Sequence, residues 1–97
     1  MNKKPEFACP CCGYKTLEIL DEYRICQVCF WEDDPFQKDN PTDPDGPNWI
    51  SLIEAQKNYL TTGAIDQKSL KNIRKPKLEE KRDPNWKPFK ENIKFWK

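Results

Sequence analysis

The residues of this chain whose types and spacing indicate chemistry are four cysteines arranged as two identical pairs. Cys9 and Cys12 form one Cys-x2-Cys pair, and Cys26 and Cys29 form the other. Each pair presents two thiolates from one tight turn, called a knuckle below, and two knuckles complete a tetrahedron around a metal ion. The spacing predicts one structural zinc ion. Iron in a rubredoxin-like site is the chemical alternative, because an all-thiolate tetrahedron also accepts iron.

A fifth cysteine, Cys11, lies between the two predicted ligands of the first knuckle. The sequence leaves three interpretations open. Cys11 is a small residue that fits the tight turn, or an extra thiol that the nearby metal and backbone amides make reactive, or a ligand that leaves Cys9 or Cys12 spare. A glutaredoxin-like redox site is disfavoured, since it needs a strand before the cysteines and a long helix after them. Here a strand pattern follows Cys12.

The composition gives little support to catalysis. The chain contains no His, and no Ser or Cys has a base at a recognisable spacing. Four thiolates would also fill the coordination shell of zinc and leave no position for a reactive water. We therefore expect a protein that is not an enzyme and that has no small-molecule substrate.

The elements that must position the thiolates are predicted to form a β-hairpin between the two knuckles. Residues 14–20 alternate as a strand does, Asp21 and Glu22 form the turn, and residues 23–25 return to the second knuckle. Gly13 supplies the left-handed backbone position that such a turn needs. Five aromatic residues are expected to cover the metal and form the core: Tyr23, Phe30, Trp31, Trp49 and Tyr59.

Two helices are predicted after the second knuckle. Ser51 and Glu54 match a capping box at the start of a helix over about residues 51–62, and Gly63 is placed to end it. A shorter helix is predicted over about residues 66–74, with Asp66 as its N-cap and Leu70 and Ile73 on its apolar face.

Length and composition limit the chain to one small domain and a tail. A chain of 97 residues with 36% hydrophobic and 34% charged residues buries little apolar surface, so metal binding is expected to supply folding energy. The zinc-binding domain is predicted over residues 1–78. A basic aromatic tail, residues 79–97, follows, and Phe89, Ile93 and Trp96 recur there at the spacing of a short helix that docks on the domain or faces a partner. The predicted fold class is a small α+β metal-stapled domain: a zinc-ribbon or rubredoxin-like hairpin, two helices and the tail.

The charges are segregated along the chain. The loop over residues 32–48 is acidic, and its prolines and Gly46 argue against regular structure in it. The last third of the chain is basic. An acidic loop together with an aromatic tail is typical of a protein interface, and it predicts a protein partner bound by Asp33, Asp34, Asp39, Trp86 and Trp96.

The alternative partner is a nucleic acid. Lys71, Arg74 and Lys75 could contact phosphates while Trp86 or Trp96 stacks on bases, as in a nucleic-acid-binding zinc ribbon. A uniformly basic composition would favour this alternative, and the segregated charges favour a protein partner instead.

The start of the chain is polar and runs directly into the cysteines, without the pattern of an export signal. No apolar run reaches the roughly 18 residues that a membrane span requires. We expect a cytoplasmic protein without membrane contact, in a reducing compartment where thiols bind metals more often than they form disulfides.

The cysteine strings resemble the bacterial cysteine-rich CPCC family. The resemblance rests on Cys-Pro-Cys-Cys-Gly-Tyr at residues 9–14, Cys-Gln-Val-Cys-Phe-Trp-Glu-Asp-Asp at residues 26–34, Gly-Pro-Asn at residues 46–48 and Ser-Leu-Ile-Glu-Ala-Gln at residues 51–56. It implies a small bacterial cytosolic domain that binds zinc. Because members are encountered among the small proteins of bacterial conflict systems, it also implies an immunity- or antitoxin-like role.

Overall fold

The structure is a computed structural model that describes residues 6–96. Short elements alternate with long turns, in the order β1 (Phe7–Ala8), β2 (Lys15–Leu17), α1 (Pro35–Asp39), α2 (Leu52–Thr62) and two 3₁₀ helices, Lys68–Asn72 and Lys90–Phe95. The α+β class and the clustering of four cysteines confirm the coarser part of the predicted fold. Within the described range no helix is both long and apolar enough to cross a membrane.

The strands flank the first knuckle and do not connect the two knuckles. β1 pairs antiparallel with β2, and Phe7 lies opposite Leu17. A two-stranded antiparallel hairpin is thus present, and β2 lies within the predicted strand over residues 14–20. The predicted pairing with residues 23–25 is wrong, because residues 18–22 bend and Ile25 bridges to Glu32 beyond the second knuckle. The reason is local, because each Cys-x2-Cys turn reverses the chain and brings its own flanking segments side by side.

The acidic loop contains a helix that the prolines did not suggest. The Asp34 carboxylate accepts a hydrogen bond from the Gln37 amide at 3.0 Å and so caps α1. Pro35 occupies the first helical position, where its missing N–H costs nothing. The buried Gln37 side chain then donates to the carbonyl oxygens of Asp43 and Ile50, which fixes the rest of the loop.

α2 begins and ends with the predicted capping residues. Ser51 Oγ accepts from the Glu54 amide at 3.1 Å, and Gly63 has the left-handed φ of 99°. The next helix is shorter than predicted, since only Lys68–Asn72 form a 3₁₀ helix. The N-cap of this helix is Gln67 and not Asp66 as predicted, although Asp66 Oδ1 accepts a hydrogen bond from the Ser69 amide at 2.8 Å. The predicted apolar face is wrong, because Ser69 is the buried residue and Leu70 is exposed.

The C-terminal segment packs back onto the domain. The Lys15 amide donates to the Lys81 carbonyl at 2.8 Å, which places residues 81–83 alongside the end of the first knuckle. Further on, the buried Asn92 donates to the Ile53 carbonyl and to Gln56 Oε1 in α2. Lys97 of the predicted tail and residues 1–5 of the predicted domain lie outside the described residues.

The core is built around the cysteines. Trp31 is fully buried, as predicted, and Tyr59 is half-buried against the same cluster. Two core predictions are wrong: Trp49 is 85% exposed and Tyr23 is 54% exposed. Both have left-handed backbones, with φ of 57° and 61°, and both lie in turns that direct the ring outward.

Replacing the two tryptophans should separate core from surface. We expect Trp31→Ala to lower the free energy of unfolding of the metal-loaded protein by about 3–5 kcal/mol, because a buried indole leaves a cavity. Trp49→Asn should leave it unchanged or raise it by up to about 1 kcal/mol, since Asn tolerates a left-handed φ. Denaturant unfolding measures both values, and a large loss for Trp49→Asn would contradict the exposed position.

Candidate metal centre

The first knuckle is closed by two backbone hydrogen bonds. The Gly13 amide donates to the Cys9 carbonyl at 2.8 Å, and the Cys9 amide donates to the Tyr14 carbonyl at 2.9 Å. Gly13 has a φ of 81°, which lets the chain turn back after the second ligand.

The second knuckle repeats this geometry at equivalent positions. The Phe30 amide donates to the Cys26 carbonyl, and the Cys26 amide donates to the Trp31 carbonyl, both at 2.8 Å. Phe30 stands where the first knuckle has Gly13, and its φ is 77°. A bulky residue in this conformation costs of order 1 kcal/mol or more. The turn geometry is therefore imposed by the site and not by local preference.

The four sulfur atoms lie close enough together to bind one metal ion. All four lie within 4.8 Å of one another. The Cys9 and Cys29 Sγ atoms are 3.6 Å apart, and the Cys12 and Cys26 Sγ atoms are 3.7 Å apart. Zinc–sulfur bonds of about 2.3 Å in a regular tetrahedron require sulfur–sulfur distances of about 3.8 Å. The residues thus fit a tetrathiolate metal site.

The electrostatics of the cluster show why it requires a cation. Burial raises the pKa of the Cys9, Cys12 and Cys29 thiols, because a thiolate there would be desolvated. The pKa of Cys26 is lowered, chiefly by hydrogen bonds from Cys12 and Cys29, and Thr16 Oγ1 also donates to Cys26 Sγ at 3.1 Å. Without a positive charge the site favours one thiolate among its four sulfurs. A bound metal ion would stabilise all four.

Cys11 lies outside this cluster of four sulfurs. It is fully buried, and the equivalent residue of the second knuckle is the buried Val28. The repeat thus favours the interpretation of Cys11 as a small packing residue. Aligning the two knuckles in the sequence places Cys11 opposite Val28 as well, so the sequence itself contains a signal for this packing role.

The acidic residues predicted to bind a partner differ in their exposure. Asp33 and Asp34 are buried, which corrects their assignment to an exposed surface. Asp33 Oδ2 accepts from the Asp21 amide at 2.7 Å, and burial raises the pKa of this carboxyl group. Asp34 is the N-cap of α1. Asp39 remains exposed.

The two tryptophans of the tail are engaged within the chain. The Trp86 indole covers Gly13 so closely that a Cβ there would lie 2.5 Å from its ring, and its Nε1 donates to the Pro10 carbonyl at 3.1 Å. Trp96 meets Trp86 edge to face with ring centroids 5.9 Å apart. Trp96 keeps 39% of its surface exposed.

The residues predicted to bind phosphate also differ, because one forms an ion pair within the chain and two are exposed. Arg74 donates from both terminal nitrogens to the Glu80 carboxylate, at 2.6 and 2.9 Å. This pairing raises the pKa of Arg74 and lowers that of Glu80. Lys71 and Lys75 are exposed.

The sequence reasoning missed an apolar surface around the exposed Trp49, called the aromatic face below and formed by Ile25, Phe30 and Trp49; Ile25 and Trp49 are exposed and Phe30 is half-buried. Ile25, Phe30 and Trp49 line an open cavity of about 300 Å³ together with Ile65. Four non-glycine residues among residues 6–96 have a left-handed φ, and two of them, Phe30 and Trp49, belong to this face. The available signal was the position of Trp49 in a run of turn residues, where no helix or strand could bury it.

The comparison with protein families agrees with the geometry of the centre. The family described as cysteine-rich CPCC matches residues 7–80. The chain belongs to this cysteine-rich CPCC family. The match includes both knuckles, α1 and α2, and ends before Arg82 and Trp86. No curated protein matches the chain.

Substitution of single cysteines should distinguish ligands from Cys11. We expect Cys9→Ser to lose bound metal, because a tetrathiolate site then lacks one corner. Cys11→Val should keep one metal ion per chain, since Val occupies the equivalent position at residue 28. Native mass spectrometry gives the metal stoichiometry of both variants. Loss of metal in Cys11→Val would indicate that Cys11 is a metal ligand.

Metal affinity should rise steeply with pH. The raised pKa values of Cys9, Cys12 and Cys29 mean that these thiols hold protons at neutral pH when no metal is bound. Metal binding must release these protons, so acid favours the metal-free chain. We expect the apparent affinity, measured by competition with a chelator of known pH dependence, to increase at least about tenfold per pH unit between about pH 6 and 8. A flat profile would exclude thiolate ligation.

Proposed function

We propose that this chain is a metal-stabilised protein-interaction module, in which one structural zinc ion holds the fold and the aromatic face binds another protein. Zinc is preferred over iron because nothing else in the chain suggests electron transfer. The ion is structural because four thiolates fill a tetrahedral shell and leave no position for a reactive water. The free cysteines suit a reducing, cytoplasmic setting.

The observation that carries this proposal is the position of Trp49. An indole that is 85% exposed on a left-handed backbone gains little from burial and costs conformational energy. Phe30 lies on the same face and also has a left-handed φ, of 77°. A small fold that retains two such aromatic residues on one surface has a reason to display them, and large apolar residues at the surface mark sites of association.

The charges beside the cavity favour a protein partner over a nucleic acid. Glu32 and Asp66 line the cavity together with Lys68 and Lys71. A mixed rim around an apolar centre is the usual composition of a protein interface. Carboxylates close to the stacking residue would repel a phosphate backbone.

An immunity- or antitoxin-like role is a narrower form of this proposal. It requires an exposed acidic surface that meets a basic toxin. Of the acidic residues predicted for that contact only Asp39 is exposed, with Asp45 nearby in sequence. The narrower form therefore depends on these two residues, whereas the broader form depends on the aromatic face.

Nucleic-acid binding is the second candidate, and one observation favours it. Four exposed lysines follow α2, and among residues 6–96 none of their side chains forms a salt bridge; they are Lys68, Lys71, Lys75 and Lys77. They could contact successive phosphates. The aromatic stacking that the sequence assigned to Trp86 would have to come from Trp96 or Trp49 instead.

Affinity capture with three versions of the protein should separate these proposals. We expect the wild-type chain to retain a protein from a lysate of its own host, and Trp49→Asn to lose it by a factor of about 10 or more, as for an interface hot spot. Leu78→Ser is the matched control, because Leu78 is 88% exposed and lies outside the aromatic face.

Equal retention by all three versions would contradict the assignment of the aromatic face. Retention of nucleic acid that weakens steeply with added salt, and that Lys71→Glu with Lys75→Glu abolishes, would instead support the second candidate.

A further inference from the structure

The two knuckles present the same pair of carbonyl groups outward, and both pairs receive hydrogen-bond donors. In the second knuckle the Gln27 carbonyl accepts from the Arg74 amide at 3.2 Å, and the Cys29 carbonyl accepts from the Ile65 amide at 3.0 Å. Both donors are backbone amides, and both lie within the part of the chain that matches the family.

The equivalent carbonyls of the first knuckle are satisfied differently. Pro10 accepts from Trp86 Nε1, and Cys12 accepts from Arg82 Nε, both at 3.1 Å. Both donors are side chains, and both lie beyond residue 80, where the family match ends. The tail therefore supplies the hydrogen-bond donors for the carbonyls of the first knuckle, whereas the family domain supplies those for the second knuckle.

We propose that residues 81–86 act as a clamp that retains the metal ion, with Arg82 and Trp86 as positioning residues for the first knuckle. The inference rests on metal binding by the four cysteines and goes beyond the proposed interaction function. Its basis is the matched pair of carbonyls, with different donors in the two knuckles.

The clamp is fixed by contacts on both sides of the Arg82 guanidinium. Its central carbon lies 4.5 Å from the centre of the Tyr14 ring and 5.0 Å from that of Trp86. A terminal nitrogen donates to Tyr59 Oη at 3.3 Å. The Asp83 amide donates to the Gly13 carbonyl at 2.8 Å, so the backbone of the clamp is held as well.

Two physical effects connect this clamp to the metal ion. Four thiolates around a divalent cation leave an excess of negative charge. The Arg82 guanidinium, which is hydrogen-bonded to the Cys12 carbonyl, offsets part of this charge. The Trp86 ring lies on Gly13, where the first knuckle must open before a competing ligand can reach its buried sulfurs. Removing either side chain should therefore speed metal loss more than it changes global stability.

The test measures the rate of zinc transfer from the full-length protein to an excess of a chromophoric chelator. Arg82→Met removes the donors and the charge and keeps the aliphatic stem. Trp86→Phe keeps an aromatic ring at this position and removes the Nε1 donor together with the second ring of the indole. We expect transfer to be faster by about tenfold or more for Arg82→Met and by about threefold to tenfold for Trp86→Phe, as for loss of a charged and a neutral hydrogen bond.

Two control variants distinguish a clamp from a general loss of stability. Lys87→Met makes the same chemical change as Arg82→Met at an exposed neighbour of Trp86. Asp34→Ala removes the N-cap of α1, outside the clamp. Both should transfer zinc at the wild-type rate, and denaturant unfolding of each variant supplies the stability for comparison.

The outcomes separate failure of the clamp from failure of the metal site. If Arg82→Met and Trp86→Phe release zinc no faster than Lys87→Met, or if Asp34→Ala releases it as fast as they do, the clamp is wrong and the metal site stands. If the wild-type chain holds no metal ion, the metal site itself is wrong. If Arg82→Met does not fold, the conservative Trp86→Phe decides.

Discussion

The rest of this structure depends on one constraint, the packing of four buried sulfur atoms that as thiolates would repel one another and lose their hydration. Among residues 6–96, the cluster of buried apolar residues contains all five cysteines and six other side chains: Leu17, Val28, Trp31, Leu52, Ala55 and Ile65. So small a core gives limited stability through apolar burial alone. A cation bound by the four sulfurs would convert the most unfavourable part of the core into the most favourable part.

Buried amide side chains supply the second level of order. Gln37 and Asn48 join α1 to the two ends of the acidic loop, and Asn48 both accepts from the Glu32 amide and donates to the Glu32 carbonyl. Gln56 and Asn92 similarly join α2 to the C-terminal segment. Such hydrogen-bonded polar groups fix one arrangement of segments where apolar packing is scarce. The cost of losing one partner is high, because the other is left buried and unpaired.

The features that the sequence predicted are those set by local chemistry. The cysteine spacing, the Ser51 cap and the Gly63 end of α2 each depend on a few neighbouring residues, and the structure contains them. The pairing of residues 14–20 with residues 23–25 was predicted wrongly, because the alternation of residues does not determine which neighbouring segment a strand pairs with. The burial of Trp49 was predicted wrongly, because it depends on how distant segments pack. The role of Trp86 could not be read from its neighbours, because its partner Pro10 is 76 residues away in sequence.

The unequal support of the two knuckles has a consequence for the family fold. Any chain that forms this double knuckle must satisfy the same outward carbonyls, by protein donors or by water. In the second knuckle the donors are backbone amides, which any sequence with the same fold supplies. In the first knuckle they are one indole and one guanidinium, which depend on residue identity. If the clamp acts as proposed, metal retention in the first knuckle would vary with the sequence of the tail while the arrangement of the four cysteines stays constant.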